Sequence, residues 1–518
     1  MSGTHVWMPA VARWTAQANS SVASLIDHLI DHDDRLAAMP DPIRDLDDAV
    51  EPLNIVHEAA GGYLSSLADR KVRDIAALAR LEDLHHALPV DGVGGQKAVA
   101  ELLDIGTVSA TLSSGPRFFH FVIGGSTPAA MAADWLTSLL DQNAFSRASS
   151  DFASAVEDVA LEWLCDLVGL PDTWGGALVG SATFANFTGL ACATHWWGEQ
   201  YGVDVTGQGL VAVGRRMPVL SGGYVHPSAR KALQMLGHGR DAVQVCAADA
   251  IGRLDVSALD RQLAELDEPA VIIGNAGEVN AGDFDPISDL ADIAERRGAW
   301  LHLDASFGIF AALSPRTAHL VDGMERADSI AADAHKWLNV PYESGFALIA
   351  QPQRLGHAFG MPGAPYLPSP DSPGAGYGLF GPESSRRARA LPIWATLQAY
   401  GREGYRAMVE RHLDLAQRMA DLVDDAPDLE RLAEVPLCIV CLRYRPADVD
   451  DEDRLNDLNR RLGAELLTDG RVYAGSTLYG GRVALRPAMT NWRTSERDAD
   501  FFVDVVRELG GRVAHQSP

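Results

Sequence analysis

The segment Asp333-Ala334-His335-Lys336-Trp337-Leu338-Asn339-Val340-Pro341 follows an apolar run at 329–332. That run reads as a short buried strand, so a histidine and a lysine stand together at a strand's carboxyl end. Burying an unpaired ammonium costs several kcal/mol, and a lysine in such a place loses its proton or forms a covalent bond. A desolvated amine is the nucleophile that makes Schiff bases with aldehydes. A surface lysine at a strand end would give the same two letters. The rest of the chain has to decide.

Around this segment, short apolar runs alternate with helical patterns. Strands are expected at 210–213, 242–246, 271–273, 300–303 and 329–332, with helices over 227–236, 257–266 and 287–297. Such alternation predicts βαβ units, hence an α/β domain with a mostly parallel central sheet. Ligands in these sheets sit beyond the carboxyl ends of the strands. His226, Asn280, Asp304, His335 and Lys336 all fall there. Upstream, the small residues from Gly175 through Ser181, Ala182 and Thr183 to Asn186 precede a helical run at 190–196. Backbone that a ligand can approach, followed by a helix start, suits a phosphate. The spacing is neither GxGxxG nor a Walker loop, and an ordinary strand–helix turn reads the same way. Asp304 alone reads equally well as a cap. Together, a phosphate cradle, a flat ring at His226, a carboxylate at Asp304 and Lys336 are the parts that hold pyridoxal phosphate (PLP).

The totals exclude several other classes. At 518 residues, with 47% hydrophobic and 22% charged residues, the chain has the makeup of a globular protein of two or three domains. A net charge of −27 disfavours nucleic acid and anionic membrane as partners, because both reward clustered Lys and Arg. There is no apolar run of membrane-spanning length and no basic-then-apolar leader pattern, so a cytoplasmic protein is expected. Cys165, Cys192, Cys246, Cys438 and Cys441 show no disulfide framework. Cys438 and Cys441 form a CxxC inside a strand-like run. Positions three apart on a strand face opposite sides, so core cysteines are expected there, and no metal.

The remaining stretches set the domain plan. Residues 1–115 carry helical periodicity, at Val22-Leu25-Ile26-Leu29 and again at Ile75-Leu78-Leu81-Leu84, and read as an arm that docks on a partner. Residues 116–400 form the large domain. It opens on the aromatic cluster Phe118, Phe119, Phe121, which reads as core or as the wall of a pocket. Residues 401–518 read as a small α+β domain, in which Arg486 is either a carboxylate ligand or a structural arginine. A Pro- and Gly-rich stretch at 360–378 reads as a long loop, inert or a lid.

At these residues the chain resembles the group II PLP-dependent decarboxylases, the family of aromatic-L-amino-acid, glutamate and diaminobutyrate decarboxylases. Asp333-Ala334-His335-Lys336-Trp337, Trp300-Leu301-His302-Leu303-Asp304-Ala305 and Tyr224-Val225-His226-Pro227-Ser228 are similar to its three main signatures; Pro116-Arg117-Phe118-Phe119 and Arg386-Arg387-Ala388-Arg389 match weaker ones. The resemblance implies fold type I, the aspartate aminotransferase-like architecture, and a homodimer. It also implies that Lys336 binds the PLP aldehyde and that Asp304 pairs with the pyridinium nitrogen. His226 would stack on the ring, Ala305 would lie beneath it, and Ala182 and Thr183 would take the phosphate. His335 would sit near the substrate carboxylate or cofactor. Tyr366 in the long loop, with Tyr377 as second choice, would reprotonate Cα once carbon dioxide has left. Two positions depart from the family: Phe184 stands where an acid is usual, and Gly277-Glu278-Val279 where Gly-Thr-Thr is frequent, with Asn280 as the substitute ligand. The implied activity is α-decarboxylation of an L-amino acid to an amine, with Phe118, Phe119 and Phe121 leaning towards an aromatic substrate. An aminotransferase or a decarboxylation-coupled oxidative deaminase on the same fold is the alternative.

Overall fold

The computed structural model describes residues 41–266, 268–361 and 376–515. These fall into two compact units, one within 1–66 and 75–110, the other comprising 67–74 and 111 onward.

In the first unit, helix α1 (Glu51–Ser66) packs on helix α2 (Gly95–Ser109). The periodic stretch at 75–84 forms a 3-10 helix (Ala76–Leu84) instead of an α-helix. Ile105 is the one fully buried side chain of the two α-helices, while Leu53, Leu102, Leu88 and Val90 are exposed. Two helices cannot enclose a core, as the periodicity implied. The pattern at 22–29 lies outside the described residues.

The second unit is built on a seven-stranded sheet. Its strands are β1 (Gly175–Val179), β2 (Val219–Ser221), β3 (Val243–Val245), β4 (Val271–Asn275), β5 (Trp300–Asp304), β6 (Ser329–Asp333) and β7 (Gly345–Ile349), in the order β1-β7-β6-β5-β4-β2-β3. Only β7 runs antiparallel to its neighbours, so the sheet is mostly parallel. Helices α3 (Pro128–Leu140), α4 (Asp151–Leu167), α5 (Ala182–Glu199), α6 (Pro227–Met235), α7 (Val256–Leu266), α8 (Ile287–Arg297) and α9 (Gln353–Phe359) accompany it. Strands β4 to β7 are buried along their whole length, which is why they read as continuous apolar runs.

Helix α10 (Ala390–Asp425) runs from α3 and α4 to a second, antiparallel sheet, kinking at Gly401, where φ is +60°. The second sheet has the order β10-β11-β9-β8, from β8 (Leu429–Arg431), β9 (Leu442–Tyr444), β10 (Ser476–Tyr479) and β11 (Arg482–Leu485). Helices α11 (Glu452–Asp469) and α12 (Glu496–His515) pack with it.

One expected strand is absent. Residues 210–213 form a 3-10 turn between Gly209 and Gly214, both with positive φ, and Val211 is 93% exposed. An apolar run bounded by left-handed glycines closes on itself before it can reach a sheet edge. Cys438 and Cys441 behave as expected. Both are buried and unpaired, with Cys438 in the main core and Cys441 in a separate cluster with Ala281, Tyr479 and Ala484. Among the described residues, no helix is long and apolar enough to cross a membrane.

Candidate active site

Because β1, β2, β4, β5 and β6 run in one direction, their carboxyl ends share one edge of the sheet. Ser181, His226, Asp304 and Lys336 all follow those ends. Topology alone therefore gathers residues spread over more than a hundred positions.

Asp304 ends β5, 5% exposed, and each of its oxygens is engaged. Oδ1 accepts from the Ser306 hydroxyl at 2.6 Å; Oδ2 accepts from Asn186 Nδ2 at 3.0 Å and lies 3.4 Å from Ser228 Oγ. Burial alone would push this carboxyl up. The His226 ring, the Ser306 hydrogen bond, the Lys336 charge and the Asn186 amide outweigh it and hold the group below the usual carboxylate range.

Behind Asp304 lies a chain of hydrogen bonds whose direction is fixed. Trp300 Nε1 can only donate, and it donates to Ser329 Oγ at 2.9 Å. From the other end, the Asn186 amide donates to Asp304, so its Oδ1 accepts from His302 Nε2–H at 2.8 Å, and the neutral His302 then accepts at Nδ1 from the Ser329 hydroxyl, 2.8 Å away. His302 is wholly buried and burial pushes its pKa down to about 4, so it serves as a neutral relay. Helix α5 can lie this close because a Cβ at Gly189 would meet the His302 ring at 2.8 Å.

His226 caps α6 with an extended backbone and accepts the Ser228 N–H at Nδ1. Its residue remains exposed, and burial of the ring nitrogens lowers its pKa, favouring the neutral ring. Lys336 has a side chain 17% exposed, with Nζ 3.2 Å from Asp333 Oδ2 and 5.7 Å from the Phe307 ring centre. Its main chain is wedged in place: a Cβ at Gly124 would meet the Lys336 carbonyl at 1.8 Å. Next to it, Trp337 donates to His412 at 2.8 Å, and Asn339, at φ +58°, bonds the carbonyls of Trp337 and Thr490. His335 lies 3.4 Å from Asp333, accepts the Ser344 N–H at Nδ1 and stacks on Tyr342 at 4.1 Å. Its pKa is lowered by burial.

A phosphate cradle is expected at the first N–H groups of α5, which the Ser181 side chain does not cap. Ala182 N–H is already given to Asp333 Oδ1, which occupies the helix's positive end as an anion would. Thr183 is half-buried beside it. Ser344, one residue before the Gly345 that pairs with Val179, has a buried hydroxyl with no protein partner. Ala305 is fully buried, its N–H bonded to Ala331. Asn280 is drawn the other way: its amide donates to Glu278 and its oxygen accepts from Thr477 on β10. Tyr366 lies outside the described residues. The Tyr377 hydroxyl donates to Asp158 at 2.7 Å, alongside a cavity lined by Gly175 and Gly176 at the start of β1.

These residues fit PLP. Lys336 offers the amine, Asp304 the carboxylate for a protonated ring nitrogen, His226 a neutral ring, and Thr183 and Ser344 hydroxyls for a phosphate. Sequence reasoning missed Asn186, His302, Ser228 and Ser306. The signal for His302 was its place two residues before Asp304, on the same strand face.

Comparison with known proteins agrees with this chemistry. Residues 102–445 match the model of the pyridoxal-dependent decarboxylase conserved domain. An aromatic-L-amino-acid decarboxylase of Bacillus atrophaeus is 29% identical over 410 residues, covering 78% of this chain and 83% of that protein. An L-2,4-diaminobutyrate decarboxylase of Rhizobium meliloti is 30% identical over 433 residues, covering 82% and 84%. The crystal structure of Oryza sativa TDC with PLP and tryptamine has the same fold, at TM-score 0.82 and 23% identity, covering 90% of this chain and 98% of that one. With two thirds of its length matched by that family model, this chain belongs to the pyridoxal-dependent decarboxylase family.

Proposed function

We propose that this PLP-dependent decarboxylase removes the α-carboxylate of an aromatic L-amino acid, with Lys336, Asp304 and His226 as its working residues. The observation that carries the reading is Asp304, held ionised at the end of β5 by a one-directional hydrogen-bond chain and by the Lys336 charge. When bound, PLP supplies an electron sink for the pair left behind by carbon dioxide. Lys336 Nζ would hold the cofactor at its aldehyde, Asp304 would keep a proton on its pyridine nitrogen, and His226 would offer a neutral ring beside it. Arg486, bonded at one nitrogen to the Val279 carbonyl and acting electrostatically on both His120 and His226, orients a substrate carboxylate. Tyr366 returns the proton to Cα.

An aromatic substrate is supported by the Bacillus relative's activity and by Phe121, 57% exposed beside His120; Phe118 and Phe119, by contrast, are spent in the core. We further propose a cytoplasmic homodimer, supported by the bare apolar side chains of α1 and α2.

The test is mass spectrometry of products after the PLP-loaded protein is given mixed amino acids without a keto acid. An aromatic amine appearing as its parent acid disappears is the expected result. An aldehyde product would reassign Tyr366, and turnover only after a keto acid is added would make the enzyme an aminotransferase.

A further inference from the structure

Far along α5 from the cofactor residues stands a cluster that the decarboxylation chemistry does not use. His195 and Glu199 are one helical turn apart, so both side chains rise on the same face. His357 on α9 faces them, and one nitrogen or oxygen from each of the three lies within 4.8 Å of the others. His195 Nδ1 is 3.2 Å from Glu199 Oε1, and His357 Nδ1 is 4.0 Å from that same oxygen.

We propose that His195 Nδ1, Glu199 Oε1 and His357 Nδ1 form a binding site for a divalent transition metal of the zinc class, clamping α5 to α9. Four features carry this. His195 is 8% exposed, and its Nδ1 is buried with no hydrogen-bond partner, an expensive arrangement for a ring nitrogen that nothing ligates. The 3.2 Å between it and Glu199 Oε1 matches the edge of a zinc tetrahedron, about 3.3 Å for ligand bonds near 2.0–2.1 Å. His357 Nδ1 stands 4.0 Å from Glu199 Oε1, a little beyond that edge, and its side chain is 49% exposed and free to close. The outer groups are also those a metal site needs. Asp204 lies 3.9 Å from His195 Nε2, on the far side of the ring, and Arg354 Nη1 holds the other Glu199 oxygen at 3.0 Å. The Arg354 hydrogen bond fixes the Glu199 carboxylate, while Asp204, beyond hydrogen-bond distance, acts on the histidine through its charge. Two imidazoles and one carboxylate select zinc, cobalt or nickel over magnesium or calcium, with water completing the shell. Arg354 is a positive charge next to the site, but it is committed to Oε2 and leaves Oε1 to the metal.

The experiment uses the desalted, PLP-loaded protein and Zn²⁺ alone. Equilibrium dialysis at micromolar free zinc is expected to leave one zinc per chain, and thermal melting to shift upward by a few degrees, because the ion binds only the folded arrangement. His357→Ala, at a half-exposed position that tolerates truncation, is expected to weaken zinc binding at least about 100-fold and to abolish the melting shift. Its PLP colour and its decarboxylation without zinc stay as in the parent. Glu199→Gln should weaken binding in the same direction. No zinc retained by the parent protein would overturn the proposal. So would undiminished binding by His357→Ala, which would place the ion on other histidines.

Discussion

Lys336 and Asn186 make the sharpest predictions at the scale of single residues. Lys336→Ala should remove the amine that holds the cofactor, giving a colourless protein without measurable turnover; a yellow, active variant would unseat Lys336. Asn186→Leu tests the relay. It leaves Asp304 Oδ2 with Ser228 alone and strands the His302 Nε2–H, while the fold around α5 keeps a side chain of similar size. Asp304 is held below its ordinary range, so losing a donor raises its pKa, and the pH at which activity is lost on acidification should move up. A hydrogen bond to a charged group is worth about 1.5–3 kcal/mol, which is about 1–2 pH units. A pH–rate profile with an unmoved acid limb would show that the Asn186 bond does not matter. At this scale the sequence pointed to Lys336 and Asp304 through strand ends and to His226 through the turn ahead of its helix. It could not name Asn186, a polar residue inside a run of small ones, whose meaning depends on which strand the helix crosses.

Among elements, the joint between α4, β1 and the start of α10 rests on one buried ion pair. Arg386 forks onto Glu157, Nη2 to Oε1 at 2.6 Å and Nη1 to Oε2 at 2.9 Å, and also bonds the carbonyls of Ala144 and Leu178. Both side chains are almost wholly buried. Removing one partner leaves an uncompensated charge, so Arg386→Met should destabilise the fold by about 3–5 kcal/mol, and the double variant with Glu157→Leu should recover much of that loss. Chemical denaturation of the three proteins checks this; additive losses would refute it. Helices α7 and α8 and strands β3 to β6 were legible to within a residue or two, because the helices keep a helical period and the strands are short apolar runs. Strands β1, β2 and β7 were not. β1 is two-fifths glycine, β2 is three residues long, and β7 follows so closely on the lysine segment that its apolar letters read as part of one loop. The helix start at Ala182 was likewise hidden: with 13 of its 18 residues buried, α5 has no polar face to set a rhythm.

For the whole molecule, four neutral imidazoles govern the response to acid. Burial pushes His120, His238 and His302 down to about 4 and His412 down to about 3. Unfolded histidines protonate near 6.5, so between there and pH 4 the unfolded chain binds protons that the folded chain refuses. The stability these groups contribute is full above pH 6.5 and is lost as pH falls through the folded values. Asp285 and Asp328, raised by burial to about 6, act in the opposite sense and gain stability as pH drops from 6 to 4. Four groups outweigh two. The melting temperature should fall as pH is lowered from about 7 to about 4.5, and calorimetry across that range decides it; a rise would mean that the buried histidines carry charge. The crowding of α5 has one more consequence, for the history of the sequence. Its residues are packed between β1, β5, β6 and β7 on one side and α6 and α9 on the other. A saturation library should find it the least permissive helix in the chain, glycines included, while α1 and α2 accept nearly anything polar. Neutral drift is thus confined to the periphery, and two members of this lineage with little else in common should still be alignable along this one helix.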